Sequence, residues 1–187
     1  RIETIARLEQ LTQGYPHNEE IVLEYARGLF NLSCDQPLEE RIETIAKLEQ
    51  LTQTYLHNEE IVLTYAKGLV NLSTKQPLEE RIETIAKLEQ LTQTYLHNEE
   101  IVLTYAKGLV NLSTKQPLEE RIETIAKLEQ LTQIYLHNEE FVLTYAKGLF
   151  NLSIDLSEEA AGKIQIQLAE LFEKHPHVEF LFLSLFS

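Results

Sequence analysis

The sequence contains no methionine, no tryptophan and a single cysteine, Cys34. One cysteine cannot form an internal disulfide, and sparse cysteine is typical of a reducing compartment, so we expect a cytoplasmic protein. Because no methionine is present, the chain does not start at an initiator residue. We therefore expect it to be a fragment of a longer protein.

Turn-forming residues, long apolar runs and clustered cations are also scarce. Six glycines and five prolines in 187 residues are too few for an all-β protein, which needs many turns. No apolar run approaches the roughly 20 residues that span a bilayer. Asp and Glu outnumber Lys and Arg by 30 to 16, giving a net charge of −14, which disfavours nucleic acid and anionic lipid as partners.

The chain consists of tandem repeats with a period of 40 residues. Residues 41–80 and 81–120 are identical, residues 1–40 differ from them at eight positions, and residues 121–160 diverge mainly in their last seven. Residues 161–187 form a weaker, partial copy. A period of roughly 20–50 residues is typical of a solenoid, a propeller or an array, and we expect one repeat domain over residues 1–187.

Hydrophobic periodicity predicts two helices in each repeat. Apolar residues spaced by three and four positions predict one helix from Pro117 to Tyr135, with Pro117 as its first helical residue. Asn98 is a strong N-cap and predicts the start of the second helix, which is apolar around more than half of its circumference. No strand pattern competes with these helices.

A single helix pair of this kind cannot bury its own apolar surface, whereas stacked pairs can. Gly108 and its copies Gly28, Gly68 and Gly148 lie in the middle of the second helix. Because glycine weakens a helix by about 1 kcal/mol relative to alanine, we expect these positions to allow close approach of a neighbouring helix.

The repeat resembles a lengthened tetratricopeptide repeat. The stretch Tyr15-Pro16-His17-Asn18 resembles the proline-containing loop that closes such a repeat, as does His175-Pro176-His177. Counted from this loop, four residues fall where the family places Trp, Leu, Gly and Tyr, and three more fall where it places Ala, Phe and Ala: Val102, Tyr105, Ala106 and Leu109, then Thr84, Leu88 and Leu91.

The resemblance implies an all-α, right-handed α-solenoid of stacked antiparallel helix pairs forming a superhelix. The family period is about 34 residues, and the additional residues here lie around Ser113–Glu120. HEAT and armadillo arrays are the alternatives with a period near 40. Near-identical copies also resemble prokaryotic high-identity arrays or a consensus design.

No residue pattern indicates catalysis, a metal site or a cofactor site, so we expect a protein that is not an enzyme. The histidines His17, His57, His97 and His137 recur once per repeat, but packed helices lie about 8–10 Å apart, too far for neighbouring copies to share a zinc ion. The Glu-Glu pairs point in different directions on a helix and are first-turn charges.

The resemblance implies that the second helix of each repeat lines a concave groove that binds a protein or peptide. Lysine and asparagine columns in this groove favour an extended acidic peptide, although a merely solvated surface is equally consistent with the pattern. The implied groove residues are Glu20, Leu23, Arg27 and Asn31; Glu60, Leu63, Lys67 and Asn71; Glu100, Leu103, Lys107 and Asn111; and Glu140, Leu143, Lys147 and Asn151.

The alternative function is structural: an array, natural or designed, that associates end to end. A terminal repeat normally has a polar outer face, whereas residues 180–186 are strongly apolar. A homo-oligomer would then form through Phe180, Phe182, Leu185 and Phe186. Truncation of a longer array explains the same apolar residues, so both interpretations stay open at this point.

Overall fold

The structure is a computed structural model that describes residues 2–185. These residues form ten α-helices and no strand, so the all-α prediction is confirmed. The helices are α1 (Ile2–Gly14), α2 (Glu19–Asp35), α3 (Leu38–Thr54), α4 (Glu59–Ser73), α5 (Leu78–Thr94), α6 (Glu99–Ser113), α7 (Leu118–Ile134), α8 (Glu139–Ser153), α9 (Glu158–Lys174) and α10 (Pro176–Ser184).

Asparagine caps start α2, α4, α6 and α8, as predicted, whereas the N-cap of α10 is His175. The Oδ1 atom of Asn58 accepts a hydrogen bond from the backbone N–H of Ile61 at 3.3 Å, and Asn98 does the same for Ile101 at 3.2 Å. The prediction for Pro117 was wrong by one position. Its backbone is extended, with φ −55° and ψ 156°, and its carbonyl accepts from the N–H of Arg121, so Pro117 is the N-cap rather than the first helical residue.

The chain divides into two compact units, Arg1–Tyr105 and Ala106–Ser187, with the boundary inside α6. In the first unit each helix from α1 to α4 packs against the next one along the chain, and α2 also packs directly against α4. Among the described residues, the backbones of α1 and α3, and those of α3 and α5, are not close neighbours. These helices meet through long side chains, with Lys47 near Glu9 and Lys87 bound to Glu49. The even-numbered helices therefore carry the direct stacking of one helix pair on the next. The prediction of a single domain stays a prediction.

The second unit repeats this arrangement. Helix α7 packs against α8, and α8 contacts both α9 and α10. The ring of Phe182 lies between Phe150 and Phe172, with ring centroids 5.9 and 5.3 Å away. Phe182 is therefore buried in the unit, with 6% of its surface exposed, and this corrects the prediction that it belongs to an exposed apolar end.

The mid-helix glycines allow close helix packing, as predicted. A Cβ atom placed on Gly68 would lie 2.8 Å from Cδ1 of Ile45, and one on Gly148 would lie 2.8 and 2.9 Å from side-chain carbons of Ile125 and Leu128. These leucine and isoleucine side chains form the buried face of the odd-numbered helix. The glycine thus weakens its own helix and improves the packing inside the pair.

Candidate protein-binding groove

Two neighbouring cavities lie along the N-terminal halves of the even-numbered helices in the first unit. The larger, of about 590 Å³, lies among α2, α4 and the first residues of α6. The second, of about 470 Å³, occupies the corresponding position one repeat earlier. We call the two cavities together the groove. Leu23 and Leu63 are its apolar lining residues, and Glu19, Glu20, Glu59, Glu60, Glu99 and Glu100 also line it.

Most of the predicted groove side chains are accessible. Glu20, Arg27, Asn31, Glu60, Lys67, Glu100, Lys107 and Glu140 are exposed, and Leu23, Leu63, Asn71, Asn111, Leu143, Lys147 and Asn151 are half-buried. Leu103 is 8% exposed and so offers little surface to a partner. The cavities contain predicted residues of the first two repeats together with Glu100. Arg27, Lys67 and Leu63 come together in the larger one.

Two of the four predicted groove cations already have carboxylate partners. The guanidinium of Arg27 contacts Glu24 at 2.8 Å and Glu60 at 3.1 Å. In the second unit, the Nζ atom of Lys107 lies 3.0 Å from Glu140. Each cation reaches the first turn of the next even-numbered helix. These pairs are about half exposed, so they contribute little to stability, but they partly neutralise the predicted cation column.

Asn71 is also engaged within the protein. Its Oδ1 atom accepts a hydrogen bond from Arg41 at 3.0 Å, and its Nδ2 group lies 3.1 Å from the sulfur of Cys34. Both ends of this amide therefore have intramolecular partners. The predicted role of the asparagine column in binding a peptide backbone finds no support at this position.

A polar cluster of histidine, asparagine and glutamate joins consecutive repeats and lines the groove. Nε2 of His97 lies 2.6 Å from one carboxylate oxygen of Glu59, and Nδ2 of Asn98 donates to the other at 2.6 Å. His57, Asn58 and Glu19 form the same cluster one repeat earlier, at 3.0 and 2.7 Å. We call each set the His–Asn–Glu cluster.

These contacts lower the pKa values of the carboxyl groups involved. Hydrogen bonds from His97 and then Asn98 hold the pKa of Glu59 below its ordinary value of 4.5. Hydrogen bonds from Asn58 and then His57 lower the pKa of Glu19 in the same way. Both carboxylates stay ionised near neutral pH, so the groove keeps its negative charge.

Two further contacts join the same repeats and were not foreseen from the sequence. The hydroxyl of Tyr95 donates to the backbone carbonyl of Leu56 at 2.6 Å. The Nζ atom of Lys87 lies 3.0 and 3.1 Å from the two oxygens of Glu49, which joins α5 to α3. The signal in the sequence was the strict recurrence of Tyr, His, Asn and Lys at fixed positions, because interface residues must repeat with the interface.

Arginines that bind loop carbonyls between the helices were not predicted from the sequence. Arg41 is 3% exposed, and its guanidinium donates to the carbonyls of Cys34 and Gln36 and to both oxygens of Asn71, at 3.0–3.2 Å. It thus binds the end of α2 and the loop between α2 and α3. A cation at carbonyl groups that end a helix is also favoured by the helix dipole. Arg81 and Arg121 bind the equivalent loop carbonyls of later repeats.

Burial raises the pKa of the tyrosines that pack behind the groove. The pKa of Tyr25 rises to about 12, mainly through burial and then through the nearby charge of Glu9. Burial and the charge of Glu49 likewise raise the pKa of Tyr65, whose buried hydroxyl has no hydrogen-bond partner of good geometry. These phenols are neutral packing groups at physiological pH.

The described residues offer neither a metal-binding cluster nor a membrane-spanning helix. No group of three or more His, Cys, Asp or Glu side chains among residues 2–185 could hold a metal ion. No helix in this part of the chain is long and apolar enough to cross a bilayer.

The comparisons with known proteins leave the family open. No family model matches the chain, and neither a curated protein nor a solved structure shows significant similarity to it. The architecture of helix-pair repeats therefore rests on the sequence periodicity and on the packing inside each unit.

Proposed function

We propose that the chain is a tetratricopeptide-like interaction module that binds an extended peptide, or an extended segment of a protein, in the groove. The observation that supports this most directly is the recurrence of a cavity of several hundred Å³ at the same place in two consecutive repeats. A surface that repeats with the period of the array suits a partner that is extended along it. The proposal assigns no catalytic step to the chain.

The groove is lined by both apolar and polar side chains. Leu63 is half-buried in the larger cavity, with Thr64 beside it, and Leu23 holds the corresponding place in the smaller one. A partner side chain that covers these leucines would gain about 25 cal/mol for each Å² of apolar surface removed from water. The spacing of the leucines by one repeat favours a partner with apolar side chains at matching intervals.

The charges favour a basic partner over the acidic peptide expected from the sequence. Four carboxylates and two cations, Arg27 and Lys67, line the larger cavity, and Arg27 is already paired with Glu60. The smaller cavity contains four glutamates and no lysine or arginine. Together with the net charge of −14, this potential speeds the approach of cations and repels anions. We therefore propose a peptide that carries lysine or arginine beside an apolar residue.

Fluorescence anisotropy with two matched peptides tests the proposal. One labelled peptide alternates leucine with lysine and the other leucine with glutamate, and each is titrated with the chain at low and at physiological salt. We expect binding of the lysine peptide, weakened by salt because the contacts are exposed. Preferential binding of the glutamate peptide would contradict the proposed charge preference, and binding of neither would contradict this groove model.

A pair of charge reversals locates the binding surface. Glu100 lines the larger cavity, whereas Glu83 is exposed on α5 and lies outside both cavities. Glu100→Lys should weaken binding of the lysine peptide by roughly tenfold, and Glu83→Lys should change it little. Equal effects of the two variants would show that only the overall charge matters.

Reversal of the groove cations separates the two charge models. If the partner is basic, changing all four cations to glutamate should strengthen its binding. If the partner is acidic, the same change should abolish it. The four residues are Arg27, Lys67, Lys107 and Lys147.

Three finer predictions accompany this proposal. The right-handed superhelix and the tetratricopeptide class follow from the resemblance of the repeat, and the cytoplasmic location follows from the low cysteine content. A crystal structure tests the first two, and fractionation of cells that express the native gene tests the third.

A further inference from the structure

The first unit shows how one repeat binds the next. Tyr95 and Ile101 of the later repeat pack against Val62 of the earlier one, with Leu63 and Leu91 at the edge of this cluster. The His–Asn–Glu cluster formed by Glu59 with His97 and Asn98 lies beside it. We call the surface that faces the preceding repeat the leading surface; it carries Leu91, Tyr95, His97 and Asn98. We call the surface that faces the following repeat the trailing surface; it carries Glu59 and Leu63.

Helices α1 and α2 carry a complete leading surface that has no protein neighbour among the described residues. Its members are Leu11, Tyr15, His17 and Asn18, the counterparts of Leu91, Tyr95, His97 and Asn98. Tyr15 is 61% exposed, whereas Tyr95 is 7% exposed, and Leu11 is 40% exposed. Asn18 caps α2 through Oδ1 at 3.3 Å, and its Nδ2 group is left to donate elsewhere.

Helix α10 carries the matching elements of a trailing surface. Glu179 is the counterpart of Glu59, and Leu183 is the counterpart of Leu63. The side chain of Glu179 is exposed and makes no ion pair within residues 2–185, and Leu183 is 57% exposed. Phe180 stands where the earlier repeats have Glu60 and its copies, and it is 75% exposed.

We propose that the leading surface of α1 and α2 binds the trailing surface of α10 in a second copy of this chain. In this contact, His17 and Asn18 share the carboxylate of Glu179, as His97 and Asn98 share that of Glu59. Leu183 covers Tyr15 and Leu11 as Leu63 covers their counterparts, and exposed Phe180 adds apolar area at the rim. Phe186, which was also predicted to contribute, lies outside the described residues.

The complementarity of the two surfaces favours a second copy over an unrelated partner. One surface supplies the imidazole and amide donors and the other supplies the carboxylate acceptor, in the spacing that the interior of the first unit already uses. An interface between two different surfaces of the same chain is heterologous, so each copy can bind one further copy at each surface. Association should therefore increase steadily with concentration and not stop at a dimer.

Sedimentation velocity of the whole chain tests the proposal, with a charge reversal and its rescue. We expect the average mass to rise above the 21.7 kDa of one chain as the concentration increases from micromolar to millimolar. Glu179→Lys places a cation opposite His17 and Asn18 and should weaken association by about tenfold or more. Combining it with His17→Glu restores an opposite-charge pair and should recover association.

Glu158→Lys is the matched control, because Glu158 is also an exposed first-turn glutamate but lies in α9 and outside the proposed contact. Circular dichroism checks that each variant keeps the helical content of the parent chain. A single-chain mass at every concentration would overturn the proposal, as would equal weakening by Glu158→Lys and Glu179→Lys. Failure of the double variant to recover association would overturn the assigned pairing. None of these outcomes depends on peptide binding in the groove.

Discussion

Helices α5 and α9 have the same length, 17 residues, and occupy the same place in their repeats, but they differ in burial. In α5 the side chains of Arg81, Ile85 and Leu88 are buried, whereas α9 contains no buried residue. Leu88 is fully buried, and its counterpart Leu168 is half-buried. The comparison teaches that burial in this protein depends on neighbouring helices as much as on the apolar pattern of a helix itself.

The two helices also differ in polar contacts. Position 161 of α9 is alanine where α3, α5 and α7 have the arginine that binds loop carbonyls. Position 178 after α9 is valine where earlier repeats have the capping asparagine. The contacts that recur between the earlier repeats are therefore reduced in residues 161–185. We expect this region to be the least stable part of the array, since stability in repeat proteins is roughly a sum of repeat and interface terms.

The largest effect should come from removing a leucine side chain in each region. Leu88→Ala leaves a cavity in a fully packed site and should lower the free energy of unfolding by about 2–5 kcal/mol. Leu168→Ala should cost clearly less, because its surroundings are partly solvated. Urea unfolding followed by circular dichroism measures both, and equal losses would contradict the contrast between the two helices.

The next largest effect concerns the buried arginine. Arg41→Ala removes a guanidinium that donates to four oxygens and should destabilise the chain by about 2–3 kcal/mol. Arg7→Ala, at an exposed position of α1, is the control and should change stability by less than about 0.5 kcal/mol. Thermal and urea unfolding give the comparison. If the two variants are equally stable, Arg41 does not hold the loop.

A third test compares two glycines within the second unit. Gly148→Ala forces Ile125 and Leu128 to move, and the resulting overpacking should exceed the gain in helix propensity, with a net loss on the order of 1 kcal/mol. An added Cβ on Gly162 meets no atom within 4 Å, so Gly162→Ala should stabilise α9 by about 0.5–1 kcal/mol. Chemical denaturation measures the change in the free energy of unfolding for each variant. Changes of opposite sign support the account, and changes of the same sign reject it.

The smallest effect is a pH dependence that comes from the His–Asn–Glu cluster. Because the pKa of Glu59 is lowered in the folded protein, its contribution to stability is present above its ordinary pKa of 4.5 and is lost as pH falls through the lower folded value. Glu59→Gln should therefore reduce the loss of stability on acidification below about pH 5. The measurement is a series of urea midpoints between neutral and acidic pH.

Glu139→Gln is the control for that series. Glu139 is the counterpart of Glu59 in the fourth repeat. The next repeat has Val178 in place of the asparagine that binds Glu59, and the carboxylate of Glu139 has no hydrogen-bond partner among residues 2–185. Its replacement should leave the acid dependence nearly unchanged. An equal change in both variants would show that the cluster does not determine the effect.

The local features of the repeat could be predicted from the sequence. The helix predicted from Pro117 to Tyr135 forms as Leu118–Ile134, and the helix predicted after Asn98 begins at Glu99. Caps, apolar spacing and first-turn charges act over a few neighbouring residues. The sequence of one repeat is therefore enough to predict where its helices begin and end. The close helix packing at the mid-helix glycines could also be predicted from the sequence, because a glycine that weakens an apolar helix needs a compensating contact.

Contacts between repeats could not be predicted in the same way. Arginine is rarely buried, and the burial of Arg41 depends on loop carbonyls whose positions are set by the stacked helices. The pairing of Arg27 with Glu60 joins residues of two repeats, so the sequence alone suggested a free cation column. The charge of the groove could therefore be determined only once the position of one repeat relative to the next was known.

The most direct test of the central claim is to isolate one helix pair. The claim is that α3 and α4 stay folded because neighbouring helices cover their apolar surfaces. A peptide of residues 37–75 should show little helix by circular dichroism at 25 °C and no cooperative unfolding in urea, whereas the whole chain shows both. A peptide that is as helical as the whole chain and unfolds cooperatively would contradict the account.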